Sequence, residues 1–391
     1  FIDNEINNEN FKTILEPYDL VFTKIGAFIG DVAILPPKYN QYNFSQNVAG
    51  AKLIDKNSGP FYLAFFLSKF GKDQVLRSQM LSGQGKLELA DVRNYKIINV
   101  SADFKKLIKN FIDSSFDCID RSSDLFKQSE DKIKEFLNLQ NFVPSIENTS
   151  VKTFNDFLLS NRLDAEYYQP KFDELEDALA FFELIRFSKL VSHPVTSGST
   201  PRAGDHNYYT DAENGVPFIR AVDIVDGRIS TLDFNYITSE VHNTILKKTQ
   251  LKQNDVLFSI AGTVGRCGLF EFDFEANINQ ACAIIRFNED IIMRDYFIAF
   301  FNSSIGKLLV EKYSRHGVQT NLNLDELSNL YIPILPMEQQ KEIASLISSS
   351  IRLRNESKNF LEIAKQAVEI AIEKDERTAS AWLLAKNLNI I

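Results

Sequence analysis

The chain repeats itself once, and the repeat governs what it can fold into. PYDLVFTKIGAFIG (17–30) returns as QNDVLFSIAGTVG (253–265), with Asp19 matching Asp255, Phe22 matching Phe258 and Gly26 matching Gly262. Asn43-Phe44-Ser45-Gln46 returns as Asn277-Ile278-Asn279-Gln280, and YLAFFLSKFG (62–71) as FIAFFNSSIG (297–306). Leu87 and Leu89 match Leu322 and Leu324, and Ile97 matches Ile332. Solenoid repeats run to about 20–50 residues, so a unit this long is a duplicated domain. One kind of surface is therefore presented twice. The copies are unequal, because residues 187–235 have no first-copy counterpart. The opening FIDNEINNEN aligns near Tyr236 to Glu240, so the first copy is expected to be N-terminally incomplete.

A length of 391 residues accommodates two or three domains, each with its own core. The formal charge of −9 argues against a uniformly basic nucleic-acid binder but leaves room for a local basic cleft. Cys118, Cys267 and Cys282 form no CxxC, which argues against a disulfide framework or structural zinc and fits buried thiols in a reducing cytoplasm. No apolar run is long enough to span a bilayer, and the start lacks the pattern of a secretory signal, so no membrane association is expected.

The pattern predicts an α+β fold in which each copy runs from a strand-rich region through a short aromatic helix and a Gly-containing loop to a final strand and a long helix. VLFSIA (256–261), CGLF (267–270) and ACAIIRF (281–287) are β-branched or aromatic and bounded by Gly, Asn and Asp, which predicts strands. Residues 294–314 have helical spacing, and 316–323 form a loop into the strand at 329–335. Beyond Pro336, an apolar stripe including Ile343, Ile347, Ile351, Phe360, Ala364 and Val368 predicts a helix over 337–376. Its first-copy equivalent covers 102–140, with Phe104, Ile108, Phe111, Ile112 and Ile133 on one face. Two such helices either form an interhelical coiled coil or each pack on their own domain. The boundaries that follow are a first domain at 1–101, a spacer helix at 102–140 and a connector at 141–186. A second domain at 187–336, a second spacer helix at 337–376 and a tail at 377–391 complete the chain.

Catalytic signatures are missing together. There is no P-loop, since Gly83-Gln84-Gly85-Lys86 lacks the spacing, and no GxSxG or HExxH. The four histidines have no metal-ligand spacing, so no metal and no cofactor is expected. What remains is polar and loop-bound. TSGSTPR (196–202) offers Ser197, Ser199, Thr200 and Arg202, suited to phosphates or merely to a surface turn. Arg220 either reaches DNA or pairs with Asp223 or Asp226. SIAGTVGRCG (259–268) offers Ser259, Thr263 and Arg266, with Thr23 and Lys24 in the first copy; an unliganded β-turn is the other reading. Asn279 and Gln280 stand before a strand, and Asn and Gln side chains pair with adenine edges; Ser45, Gln46 and Asn47 are their counterparts. SRHGVQTNLN (314–323) offers Arg315, His316, Gln319, Thr320 and Asn321, with Ser82, Gln84 and Lys86 in the first copy.

Taken in order, TSGSTPR, QNDVLFSIAGTVGRCG, NINQ, HGVQTNLNLDEL and PILPMEQQKEIA resemble the specificity subunits of type I restriction–modification enzymes, as does RLDAEYYQPKFDEL (162–175). The resemblance implies a non-catalytic reader of double-stranded DNA, with two target recognition domains each reading half of a bipartite sequence. It implies that the two long helices form an antiparallel coiled coil in a pseudo-twofold arrangement, setting the spacer between half-sites. It also implies two adenine-specific methyltransferase subunits as partners, joined by restriction and translocase subunits. The first domain departs from the pattern, since it lacks a counterpart of TSGSTPR. The alternatives are the C-terminal specificity region of a fused methyltransferase–restriction enzyme, and an interaction scaffold whose polar loops are incidental.

Overall fold

LVFT and VLFS, the matched centres of the repeat, are runs of β-branched and aromatic residues, and each becomes the middle strand of a sheet. The structure, a computed structural model, describes residues 2–26, 28–78, 86–201, 207–231, 234–317 and 319–388. Contacts divide the chain into two units, Phe1–Arg121 with Leu353–Ile391, and Ser122–Arg352. The first carries helix α1 (Asn4–Glu9), strands β1 (Leu20–Thr23), β2 (Val32–Ile34) and β3 (Val48–Ala51), helices α2 (Gly59–Leu67), α3 (Lys69–Ser78) and α4 (Leu89–Asn94), and the start of α5 (Ala102–Phe136).

The second unit takes the rest of α5, then α6 (Phe154–Ser160), α7 (Pro170–Leu179), β4 (Leu184–Arg186), β5 (Thr196–Ser197), β6 (Tyr209–Thr210) and β7 (Gly215–Ile219). Next come β8 (Ile224–Val225), β9 (Gly227–Ile229), β10 (Asn235–Thr238), α8 (Ser239–Asn243), β11 (Val256–Ser259), β12 (Cys267–Leu269), β13 (Asn277–Ile278) and β14 (Cys282–Ile285). Helices α9 (Arg294–Asn302), α10 (Ser304–Tyr313) and α11 (Leu324–Asn329) lead to β15 (Tyr331–Pro333) and α12 (Met337–Glu373). The part of α12 beyond Arg352 belongs to the first unit, with α13 (Glu376–Leu388).

The two middle strands repeat one register. Leu20 lies opposite Ile34 and Ala51, while Val256 lies opposite Leu269 and Ile285. They differ in what covers them. All four residues of β11 are buried: Val256 and Phe258 pack with Tyr296, Phe297, Phe300 and Phe301, and Leu257 points the other way, into Ile219, Ala221, Ile224, Ile229 and Phe234. In β1 only Leu20 and Phe22 are buried; Val21 and Thr23 are half-buried. Part of the cause lies in the sequence, because these five members of the Leu257 cluster come from 187–235, the segment the first copy does not match.

The helix pairs α2–α3 and α9–α10 also correspond. Each turns at a buried serine, Ser68 or Ser303, whose hydroxyl donates to the Phe65 or Phe300 carbonyl at 2.5 and 2.6 Å. A Cβ on Gly71 or Gly306 would lie 2.3 or 2.1 Å from those same carbonyl oxygens, so only glycine lets the second helix start there. Each middle strand begins at a buried carboxylate. Asp19 accepts from the Leu53 and Glu16 amides and from Lys56; Asp255 accepts from the Lys252 amide and both sides of the Arg286 fork, at 2.6 and 2.7 Å.

The long helices end at Phe136 and Glu373. At the first, Asn138 takes a left-handed conformation (φ 54°), and the Leu139 amide reaches back to the Lys134 carbonyl, closing the helix. Within the first unit α5 meets α12 through Phe111 against Phe360 (ring centroids 6.0 Å) and Ser115 against Ser357 (2.8 Å); the pairs run in opposite directions along the chain, so the contact is antiparallel. Within the second unit Ser122 meets Ser350 at 2.8 Å and Lys132 meets Glu342. The apolar stripes drawn from the sequence omit these serines. They are buried because each hydroxyl finds its partner in the facing helix, which removes the desolvation cost of an unpaired polar group. Among the described residues no helix is long and apolar enough to cross a membrane.

One pH response follows from the repeat. In the first copy Asn43 donates to Asn7 at 3.1 Å; in the second the buried Asn277 sits 3.0 Å from the His242 ring nitrogen. Burial holds the His242 pKa below its usual value, with Glu275 opposing. A depressed histidine contributes stability above its unfolded pKa of about 6.5, and that contribution is lost as pH falls toward the folded value. Acidification from pH 7 to pH 5 is therefore expected to lower the melting temperature of the second unit. In His242→Asn, which copies the first domain's pairing, the fall should be smaller; equal slopes in thermal scans across that range would refute the assignment.

Candidate functional site

Strand register brings the polar loops to one edge of the six-stranded sheet, whose order is β5-β14-β11-β12-β9-β8. Ser259 lies opposite Cys282, Phe258 opposite Cys267, and Ala283 opposite Ser197, so the turns at 198–201, 260–266 and 279–281 leave from the same edge. Backbone bonds then lock them together. The Ile260 amide donates to Ala281, the Leu322 amide to Ile260, and the Gly262 amide to Thr320, at 2.8, 2.8 and 3.0 Å. The Gly198 amide reaches the Cys282 carbonyl at 3.1 Å, and the Gln280 amide reaches the Thr200 hydroxyl at 3.3 Å. A Cβ on Gly198 would lie 2.2 Å from the Asn279 and Ile278 oxygens, so this crossing requires glycine. The Asn279 amide also bonds the Ile219 carbonyl, which places Arg220 beside the cluster.

The first copy gathers its loops with the same two bonds. The Lys24 amide donates to Asn47 at 2.8 Å and the Leu87 amide to Lys24 at 3.0 Å, matching Ile260 to Ala281 and Leu322 to Ile260. Thr23 closes β1 opposite Val48, and Ser45, Gln46 and Asn47 stand exposed. Lys86 is paired with Glu88 at 2.6 Å. Ser82 and Gln84 lie outside the described residues, as does Arg202 in the second copy.

In the second copy Ser199, Thr200, Thr263, Gln280, His316, Gln319 and Asn321 are exposed or at the surface of the cluster, while Ser197, Asn279 and Thr320 are half-buried. Ser259 is buried: its hydroxyl donates to the Thr263 carbonyl and accepts the Arg266 amide at 2.8 Å, so it shapes the turn from within. The cations are mostly committed. Arg220 grips Asp223 through its backbone amide and both sides of its fork, the pairing that the sequence left open. Arg315 bonds Glu326 at 2.8 Å. Arg266 donates to the Ile224 carbonyl at 3.5 Å, a long bond that leaves its guanidinium capacity to spare. The surface is thus dominated by neutral hydrogen-bonding groups.

Two contributors stand outside the candidate site residues read from the sequence. Asn302, at the end of α9, pairs with the backbone of Cys267 through both halves of its amide (2.9 and 3.3 Å), anchoring the far end of the 260–266 loop. Arg162, far upstream, contacts the base of the 315–322 loop. Cys267 and Cys282 border the site, but burial raises both thiol pKa values, so neither is a nucleophile at neutral pH. Among the described residues no group of His, Cys, Asp and Glu is placed to hold a metal ion.

Residues 193–364 match the family model described as the type I restriction modification DNA specificity domain. The type I restriction enzyme EcoBI specificity subunit of Escherichia coli is 29% identical over 133 residues, 34% of this chain and 28% of that protein. The putative type I restriction enzyme MjaX specificity subunit of Methanocaldococcus jannaschii is 24% identical over 165 residues, 41% of this chain and 39% of that protein. These matches span well under half the length of either relative. The structure of the type I restriction–modification S subunit from M. genitalium aligns with a TM-score of 0.37 at 10% identity, over 90% of this chain and 82% of that one. The matched region takes in the whole second loop cluster and runs on into α12, so this part of the chain is similar to the DNA specificity domain of type I restriction–modification systems.

Proposed function

We propose that the chain recognises a DNA sequence and performs no chemistry of its own. The observation that carries this reading is the reuse of one pair of backbone bonds to gather polar loops in both copies, while the side chains on those loops differ. Gln280, Gln319, Asn321 and His316 suit base edges; Arg266 and Lys24 suit phosphates. Each cluster reads one half of a bipartite target. Helices α5 and α12 act as an antiparallel coiled coil that spaces the readers and docks two adenine-specific methyltransferase subunits, with restriction and translocase subunits completing the assembly. Because Arg220, Arg315 and Lys86 already hold carboxylates, phosphate contact requires exchange of partners, so affinity without the methyltransferase is weak and falls with salt.

Replacing residues 187–336 with another recognition domain is expected to change one half-site and leave the other and the spacer intact. Methylation-motif sequencing in a host expressing the chain with its partner genes reads this directly. Alteration of both halves, or of neither, would refute modular reading.

A further inference from the structure

The loop that carries His316, Gln319, Thr320 and Asn321 is tied at its base by a side chain from outside the domain expected at 187–336. Arg162 lies between α6 and α7, and only 6% of its side chain is exposed. Its Nη1 donates to the Tyr313 carbonyl and to Glu326 Oε1, both at 3.2 Å, and its Nη2 donates to the Ser314 carbonyl at 3.1 Å. Tyr313 and Ser314 end α10, where carbonyls lack helical partners, and Glu326 stands in the first turn of α11. One guanidinium therefore grips the chain on both sides of the loop. Glu326 Oε1 also accepts from Arg315, and inside the tie the backbones of Arg315 and Asn321 exchange bonds at 2.7 and 3.1 Å.

The arginine is itself held. Its Nε donates to Asp164 at 2.6 Å, its carbonyl accepts the Tyr168 hydroxyl at 2.8 Å, and its guanidinium lies 4.9 Å from the centre of the Tyr167 ring. This many acceptors in one plane requires a planar fork; a lysine ammonium cannot meet two carbonyls and two carboxylates in that geometry.

We propose that Arg162 is a positioning residue for base discrimination: without touching DNA, it sets the 315–322 loop against the 260–266 loop. This rests on the DNA-reading proposal above. It also means that a recognition domain cut at residue 187 leaves one of its reading loops dependent on the connector.

The test uses the full chain with Arg162→Lys and, as a milder change, Glu326→Gln. Amide hydrogen exchange is followed in the free protein. Binding with the methyltransferase present is measured on duplexes carrying the methylation-mapped motif and single-mismatch versions, across a salt series. In Arg162→Lys the Arg315 and Asn321 amides should exchange at least about tenfold faster while Leu257 and Ile284 in the sheet stay protected. Discrimination against mismatches should drop about tenfold or more with an unchanged salt slope, since phosphate contacts are not lost. Glu326→Gln should shift both readouts in the same direction by less. Unchanged exchange at Arg315 and Asn321 in both variants overturns the tie. Faster exchange with full discrimination overturns the role in reading. If the unaltered protein binds no DNA, the reading proposal itself falls, and this outcome is distinguished because loop exchange still responds to Arg162→Lys.

Discussion

Arg286→Ala is expected to destabilise the second unit by up to about 3 kcal/mol, the low end of the cost of removing one partner from a buried ion pair, because the Arg286 side chain is 28% exposed and partly screened by water. Asp255 is 3% exposed, and the Arg286 fork covers both of its oxygens at 2.6 and 2.7 Å. Without the guanidinium the carboxylate keeps the Lys252 amide at 2.8 Å but has no countercharge. The Asp255 bond is also the main reason the Arg286 pKa is raised. Lys56→Ala is the internal comparison. Its partner Asp19 is as deeply buried but keeps two amide donors, from Leu53 and Glu16, so the loss should be smaller. Urea unfolding, with hydrogen exchange to assign each transition to its unit, checks both the size and the order. Equal losses, or an Arg286→Ala loss under about 1 kcal/mol, would show that the carboxylate finds water instead.

Phe301→Ala should cost about 3–5 kcal/mol by opening a cavity in the tightest aromatic cluster of the second unit. The ring is fully buried and lies 4.5, 5.2 and 5.3 Å, centroid to centroid, from Phe297, Phe300 and Phe258. Those neighbours are rigid rings on α9 and in the middle strand, which limits how far they can relax into the gap. Phe301→Leu keeps most of the volume and should lose well under half as much. The effect also reaches the loops, because the next residue, Asn302, holds Cys267 where the 260–266 turn rejoins the sheet. Calorimetry on the two variants reads the stability ratio. Exchange at the Arg266 amide, which bonds Ser259, reads whether the turn loosens with it.

The position of the clustered polar loops is legible in the sequence. The loops at 259–268, 276–283 and 314–323 were marked by glycine, by neutral polar residues and by recurrence, and register places them on one sheet edge. Ser259 was misplaced among surface groups, because a serine that ends a strand reads alike whether its hydroxyl faces solvent or closes its own turn. Arg220 reads equally well as a DNA contact or as a partner of Asp223 or Asp226, and in the folded chain it makes three bonds to Asp223. The serines between α5 and α12 escaped notice because apolar periodicity ignores hydroxyls that satisfy one another across an interface.

Sequence alone determined the duplication, the central strands, the long helices and the polar residues on the clustered loops, because all of these rest on local spacing and on side-chain chemistry that repeats along the chain. Only the tertiary structure decided which charges are available and which are tied. Arg162 reaches Glu326 across 164 positions and Arg286 reaches Asp255 across 31, and no local pattern encodes either pairing. Coulombic partners are chosen by proximity in three dimensions and strengthened by exclusion of water, and both conditions arise only once the sheets and helices have closed around them.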